Sequence, residues 1–295
     1  MYERYYGFRE RPFQLTPDPQ YLFLARQHRG GLAMFEYSLT QRTPLSMITG
    51  EIGCGKTTLI RYLLDKLGQD VTVGLISNTT RSLGRLLQWV SISFGLEHRG
   101  LDDAALYDNF VRFLLDEYAA GRQTVLIVDE AQNLNLELLE ELRVLCNINS
   151  DKDVVLQTIL VGQPELNDMV RGPGMQQIAQ RIGVDYHLSP LAPLDCRLYV
   201  WHRLRVAGGK INIFRKEAID MAGEASGGVP RLMNQLCDAA LVYGFAERQK
   251  YIEWDLMAQV IEERMKSGVF PGTAAGASGH RVQPSASEPI KIPRL

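Results

Sequence analysis

The stretch LSMITGEIGCGKTTLIRYLL, residues 45–64, decides the fold of this 295-residue chain. An apolar run at residues 45–49 precedes a glycine-rich turn, and a segment with helical apolar spacing follows the turn. The turn itself, GEIGCGKT at residues 50–57, fits the pattern G-x-x-x-x-G-K-[ST]. A strand before this pattern and a helix after it predict a loop that binds the phosphates of a nucleotide.

Each position of the loop has a physical task. Its glycines allow backbone N–H groups to surround phosphate oxygens, and the helix that follows offers its positive N-terminus to the same anion. Lys56 is placed to reach the β- and γ-phosphates, and Thr57 can offer its hydroxyl to Mg²⁺. The predicted nucleotide-binding residues are Gly50, Glu51, Ile52, Gly53, Cys54, Gly55, Lys56, Thr57 and Thr58.

A second motif, TVLIVDEAQ at residues 124–132, ends an apolar run with two carboxylates, Asp129 and Glu130. The carboxyl ends of buried parallel strands are where open α/β sheets bind ligands. We therefore expect this strand to lie beside the strand before the loop. Asp129 would then contribute to the Mg²⁺ site, and Glu130 would orient or deprotonate the attacking water.

The pattern of apolar runs predicts an α/β fold in which helices wrap a parallel sheet over residues 42–191. The strands are predicted at residues 45–49, 71–77, 124–129, 156–162 and 184–188. From residue 192 to 266 the strands stop and helical spacing dominates, which predicts a small all-helical lid domain whose main helix begins at Pro230.

The two ends of the chain are predicted to lie outside the sheet and lid domains. Residues 1–41 are predicted to form an N-terminal segment that packs on the nucleotide site. Residues 267–295 are rich in Gly, Ala, Ser and Pro, a composition typical of a disordered tail.

Cysteine content, net charge and the N-terminal residues argue against several classes of protein. The four cysteines form no C-x-x-C pair, which favours a reducing compartment over a disulfide framework. A net charge of −2 and a pI near 6.2 give no global attraction to nucleic acid. The opening MYERYYGFRERPF has no apolar signal region, so we expect a cytoplasmic protein, with peripheral attachment to the inner membrane left open.

The chain resembles the AAA+ ATPases, and among them the ExeA/GspA-like ATPases of bacterial secretion and of PEP-CTERM/exosortase loci. The resemblance rests on GFRERPFQLTPDP near the N-terminus, on the two motifs above and on GGVPRLMN at residues 227–234. It implies three further roles. Gln163 occupies the sensor 1 position, Arg181 the position of an arginine finger that acts on a neighbouring subunit, and Arg231 the sensor 2 position in the lid.

The resemblance implies Mg²⁺-dependent ATP hydrolysis that drives conformational change in a secretion or cell-surface polysaccharide or protein export system. It also implies a homo-oligomer and membrane-associated export components as partners. One alternative is an AAA+ regulator of DNA transposition of the TniB/TnsC type, for which Arg81, Arg85 and Arg112 are the candidate DNA contacts. Another alternative is a nucleotide-gated scaffold with little turnover.

Overall fold

A computed structural model of the chain describes residues 1–16, 18–77, 85–149, 153–268 and 270. Five parallel strands form one sheet in the order β2-β3-β4-β1-β5. The strands are β1 Leu45–Gly50, β2 Val71–Ile76, β3 Gln123–Val128, β4 Gln157–Gly162 and β5 Ile182–Leu188. The α/β sheet is therefore confirmed. We expected β3, which Asp129 follows, to lie beside β1, the strand before the loop. Instead, strand β4 lies between β1 and β3.

The helices divide between the two faces of the sheet and a separate helical unit. The helices of the sheet region are α2 Arg26–Thr40, α3 Lys56–Leu64, α4 Leu86–Ser93, α5 Asp103–Ala119, α6 Leu136–Leu145, α7 Glu165–Arg171 and α8 Gln176–Ala179. A short N-terminal helix, α1 Tyr2–Tyr6, precedes them. The lid helices that follow the sheet are α9 Pro193–Val206, α10 Lys216–Ala225, α11 Pro230–Ala246 and α12 Trp254–Lys266.

Strand β3 shows why the sheet is buried on both faces. Leu126 and Val128 pack with α4, α5 and α6 on one side, whereas Val125 and Ile127 pack with α2 and α3 on the other. Successive side chains of a strand point to opposite faces, so a strand covered on both sides needs a continuous apolar run. All four of these side chains are fully buried.

The N-terminal segment packs in two places. Helix α1 contacts α11, and the buried side chains of residues 2–25 belong to the core of the lid. Helix α2 instead packs on β5 and α3 and belongs to the core of the sheet. The chain therefore begins in the lid and enters the sheet region at α2.

The predicted tail, residues 267–295, lies outside the described residues except for residues 267, 268 and 270. Phe270 is buried in the core of the lid. Among the residues that the structure describes, no helix combines the length and the apolarity needed to cross a bilayer.

Candidate functional site

The predicted phosphate loop connects β1 directly to α3, which begins at Lys56. Gly53 and Gly55 have φ angles of 83° and 98°, in the left-handed region that glycine adopts without a steric penalty. These two residues turn the chain tightly into α3. The first N–H groups of an α-helix have no acceptor within the helix, so the start of α3 is suited to binding an anion.

Lys56 is held inside this loop. Its side chain is buried, and Nζ donates to the carbonyl oxygens of Gly50 at 2.6 Å and Glu51 at 3.0 Å. The ammonium group thus sits within the loop itself, where a P-loop lysine reaches the phosphates of a nucleotide.

Thr57 and Asp129 meet beneath the loop. Thr57 Oγ1 donates to Asp129 Oδ2 at 2.8 Å, and the backbone N–H of Glu130 donates to Asp129 Oδ1 at 2.9 Å. Burial raises the pKa of the Asp129 carboxyl above its usual range, while the hydrogen bond from Thr57 and the charge of Lys56 act in the opposite direction. A hydroxyl paired with a carboxylate is an oxygen donor set that suits Mg²⁺.

Glu130 follows β3 with a φ of 53°, a conformation uncommon for a residue with a side chain. Its Oε2 accepts from Gln132 Nε2 at 2.6 Å, and Gln163 Nε2 lies 3.5 Å from the same oxygen. Gln132 Oε1 in turn accepts from the backbone N–H of Gln163 at 3.0 Å. Gln132 therefore links Glu130 and Gln163, two of the predicted catalytic residues, a role that the sequence analysis missed.

Arg231 lies in the first turn of α11, and its exposed side chain is part of the wall of the cavity described below. Its backbone N–H donates to the carbonyl oxygen of Gly53 at 3.3 Å. The lid helix therefore touches the phosphate loop directly.

Arg181 lies elsewhere. It directly precedes β5, whose first residue, Ile182, pairs with Leu45, while its last residue, Leu188, pairs with Gly50. At about 3.3 Å per residue, Arg181 is roughly 20 Å from the loop of its own chain. The structure does not bring Arg181 together with the other predicted site residues.

A cavity of about 310 Å³ opens between the sheet, the N-terminal segment and the lid. This volume lies at the lower end of the range for ligand pockets in proteins. From the predicted set it is lined by Ile52, Gly53, Cys54, Gly55, Lys56, Thr57, Thr58, Glu130, Gln163 and Arg231. Further residues also line it: Gln14, Leu15, Thr16, Asp18, Tyr21, Leu22, Phe23, His28, Leu191, Tyr199, Arg203, Pro230 and Asn234.

His28 and Cys54 connect α2 to the loop. The ring of His28 is buried, and its Nε2 lies 2.9 Å from the carbonyl oxygen of Cys54. Burial lowers the pKa of His28, so the ring is neutral at pH 7 and Nε2 carries the proton that this carbonyl accepts. Burial also raises the pKa of Cys54 to about 11, so the loop cysteine remains a thiol.

Comparison with known proteins finds similar sequences over the sheet region and beyond it. A family model described as an AAA domain matches residues 40–170. General secretion pathway protein A of Aeromonas hydrophila is 39% identical over 264 residues, which are 89% of this chain and 48% of that protein. The chain thus spans about half the length of this curated relative.

Solved structures show the same fold at low sequence identity. The ORC2 protein of Aeropyrum pernix, in its ADPNP-ADP complexes, superposes with a TM-score of 0.65 at 19% identity, covering 87% of this chain and 72% of that one. A Walker-type ATPase of Pyrococcus abyssi gives 0.61 at 17% identity, covering 88% and 77%. Residues 40–170 of the chain therefore match an AAA domain, and most of the chain is similar to General secretion pathway protein A.

Proposed function

We propose that this protein binds ATP with Mg²⁺ between the sheet and the helical lid of residues 192–266 and hydrolyses it. The observation that supports this most strongly is the 2.8 Å hydrogen bond from Thr57 to Asp129. It joins the first turn of the helix after the loop to the carboxylate after β3, and so brings together the two oxygen groups that we assign to the metal.

Binding is assigned to the loop and its helix. The backbone of residues 50–58 and Lys56 would hold the triphosphate, and Thr57 and Asp129 would hold Mg²⁺, which would supply charge neutralisation at the phosphates. Within the described ranges no group of three or more His, Cys, Asp and Glu side chains could hold a metal ion. Mg²⁺ commonly takes one or two protein ligands and completes its shell with water and phosphate, so this donor set fits.

Hydrolysis is assigned to the residues that line the cavity beside the loop. Glu130 orients the attacking water and accepts its proton, while Gln132 fixes the position of the Glu130 carboxylate. Gln163 and Arg231 contact the γ-phosphate from the sheet and from the lid. Loss of that phosphate removes the contact with Arg231, and the lid is released.

The similarity to General secretion pathway protein A supports a role in secretion. We extend this proposal to cell-surface polysaccharide or protein export. We assign the protein to the cytoplasm or the inner face of the membrane, with export components as partners. Because Arg181 lies at the other end of the β1–β5 strand pair from the loop, we propose that it acts on the site of a second copy of the chain.

The decisive experiment measures ATP binding, assembly and hydrolysis for the parent and for Lys56→Ala. Loss of all three is expected, because Lys56 is buried in the loop. Lys66→Ala is the matched control, since this exposed lysine lies just beyond α3. If assembly persisted in Lys56→Ala with nucleotide demonstrably unbound, the proposal would be wrong. Hydrolysis by the parent also separates an ATPase from the scaffold alternative.

The DNA-regulator alternative has less support. Arg85 pairs with Asp103 and Arg112 pairs with Asp108, while Arg81 lies outside the described residues. An ATP-dependent mobility shift with duplex DNA tests this alternative. A strong, salt-sensitive shift would favour it over export.

A further inference from the structure

The lid side of the cavity differs from its phosphate side. Apolar and aromatic residues of the N-terminal segment and the lid line it: Tyr21, Leu22, Phe23, Leu191 and Tyr199. Aromatic and apolar walls suit a flat nucleobase. One polar side chain among them, Asn234 of α11, also lines the cavity although little of it is exposed.

A buried arginine fixes the polar groups of this region. Arg203 of α9 donates through Nε to the carbonyl oxygen of Pro12 at 2.6 Å and through Nη2 to that of Gln14 at 3.2 Å. Its Nη1 donates to the hydroxyl oxygen of Tyr199 at 2.9 Å. Its guanidinium also lies 4.7 Å from the centre of the Tyr21 ring. A guanidinium only donates, so the direction of all three hydrogen bonds is fixed.

The hydrogen bond from Arg203 to Tyr199 determines which atom of the Asn234 side-chain amide faces Tyr199. Because the Tyr199 hydroxyl accepts from Arg203, its own proton is available for the atom on its other side. That atom is Asn234 Oδ1, which accepts from Tyr199 at 2.8 Å. The carbonyl end of the amide is thereby occupied, and Nδ2 retains its two protons for other acceptors. In the part of the chain that the structure describes, no hydrogen bond from Nδ2 is formed.

We propose that Asn234 Nδ2 donates a hydrogen bond to a ring nitrogen of the adenine base, with Tyr199 and Arg203 as positioning residues. This inference rests on the proposed function. The ring nitrogens N1, N3 and N7 of adenine are hydrogen-bond acceptors, which an amide N–H₂ group complements. Asn234 lies three residues after Arg231, so one face of α11 would contact both the γ-phosphate and the base.

The test measures the affinity of the full chain for ATP, inorganic triphosphate and the 1-, 3- and 7-deaza analogues of ATP. Asn234→Ala is expected to weaken ATP binding roughly three- to tenfold, as for the loss of one hydrogen bond. Its affinity for triphosphate should not change. The analogue that lacks the contacted ring nitrogen should bind the parent protein more weakly than ATP does. Its affinity should not fall further in Asn234→Ala.

Tyr199→Phe provides a second variant, because it removes the hydrogen bond that orients the Asn234 amide and leaves the amide itself in place. It should reduce the difference in affinity between ATP and that same analogue. Tyr243→Phe is the matched control, since Tyr243 lies on the same helix and its hydroxyl donates to Glu263. Melting temperatures confirm that each variant folds.

Two outcomes would overturn the inference alone. Asn234→Ala could weaken ATP and triphosphate equally, or it could lower the affinity for all three analogues by the same factor as for ATP. Failure of the proposed function gives a different result, since triphosphate would then fail to bind the parent or would bind Lys56→Ala equally well.

Discussion

The backbone N–H of Arg231 donates to the carbonyl oxygen of Gly53 at 3.3 Å, so the longest helix of the lid begins on the phosphate loop. A Cβ atom at position 53 would lie only 2.6 Å from Cβ of Arg231. The loop and the lid are thus in contact through their backbones. Any displacement of the loop by bound phosphate would be transmitted directly to the lid.

Gly53→Ala should therefore weaken nucleotide binding about tenfold or more, because it combines a positive φ with a clash against Arg231. Gly100→Ala is the control, since Gly100 has a φ of 72° and nothing within 4 Å of the added Cβ. Both should lose about 1–2 kcal/mol of stability from the left-handed backbone alone. Calorimetric titration with ATP separates the two effects, and equal affinities in both variants would contradict the predicted clash.

Glu130→Gln should lower the hydrolysis rate about 100-fold or more while ATP still binds, as expected when a general base is removed. Glu137→Gln, an exposed change in the first turn of α6, should leave the rate unchanged. Phosphate release and ATP affinity are measured on the same preparations. An unchanged rate in Glu130→Gln would remove this carboxylate from the mechanism.

Asp129→Asn should raise the melting temperature at pH 7, because it removes a buried charge that burial disfavours. The folded pKa of Asp129 lies above its usual value of 3.8, so the folded state binds its proton more readily than the unfolded state. Stability is therefore lost as the pH rises through the folded pKa. The gain from Asp129→Asn should be complete above that pKa and vanish as the pH falls towards 3.8.

Thermal melts of the parent and Asp129→Asn from pH 3.5 to 8 measure this dependence. Asp185→Asn, at an exposed position of β5, is the matched control for loss of a carboxylate outside the core. A lower melting temperature for Asp129→Asn at pH 7 would show that its hydrogen bonds from Thr57 and Glu130 outweigh the burial of the charge.

Arg231→Ala should weaken ATP binding about 10- to 100-fold and leave ADP binding nearly unchanged, because a charge-assisted hydrogen bond to the γ-phosphate is lost. Arg264→Ala, an exposed change on α12, is the control within the lid. Equal losses for ATP and ADP would assign Arg231 to the loop contact rather than to the γ-phosphate.

Arg181→Ala should lower hydrolysis about 1000-fold or more if an arginine finger acts between subunits. Mixing provides the sharper measurement. Arg181→Ala keeps Glu130, and Glu130→Gln binds ATP and keeps the arginine, so a mixture of the two inactive variants should recover activity. No recovery in a mixture shown to co-assemble would place Arg181 outside catalysis.

The sheet could be predicted because strands buried on both faces are continuous apolar runs such as TVLIV before Asp129. The strand order could not, because it depends on contacts between remote segments. Nothing local to LQTILVG shows that β4 inserts between β1 and β3. The same limit explains why the strand ending at Asp129 was expected beside the loop strand.

The functional site likewise has residues that could be predicted from the sequence and residues that could not. Lys56, Thr57 and Asp129 belong to short motifs whose chemistry is fixed within a few residues. Arg203 has no such motif, and its role arises because it meets Pro12, 191 residues earlier in the chain. Asn234 left a weak signal as a polar residue on the apolar face of the lid's main helix, one turn after Arg231.

The division of the N-terminal segment between two cores has a mechanical consequence. The chain passes from the lid into the sheet before α2, and it returns from the sheet to the lid between β5 and α9. These two chain crossings between the lid and the sheet region define an axis of rotation. We therefore expect the lid to rotate about that axis rather than to translate away from the sheet. Helix α1 should move with the lid as part of the same rigid unit.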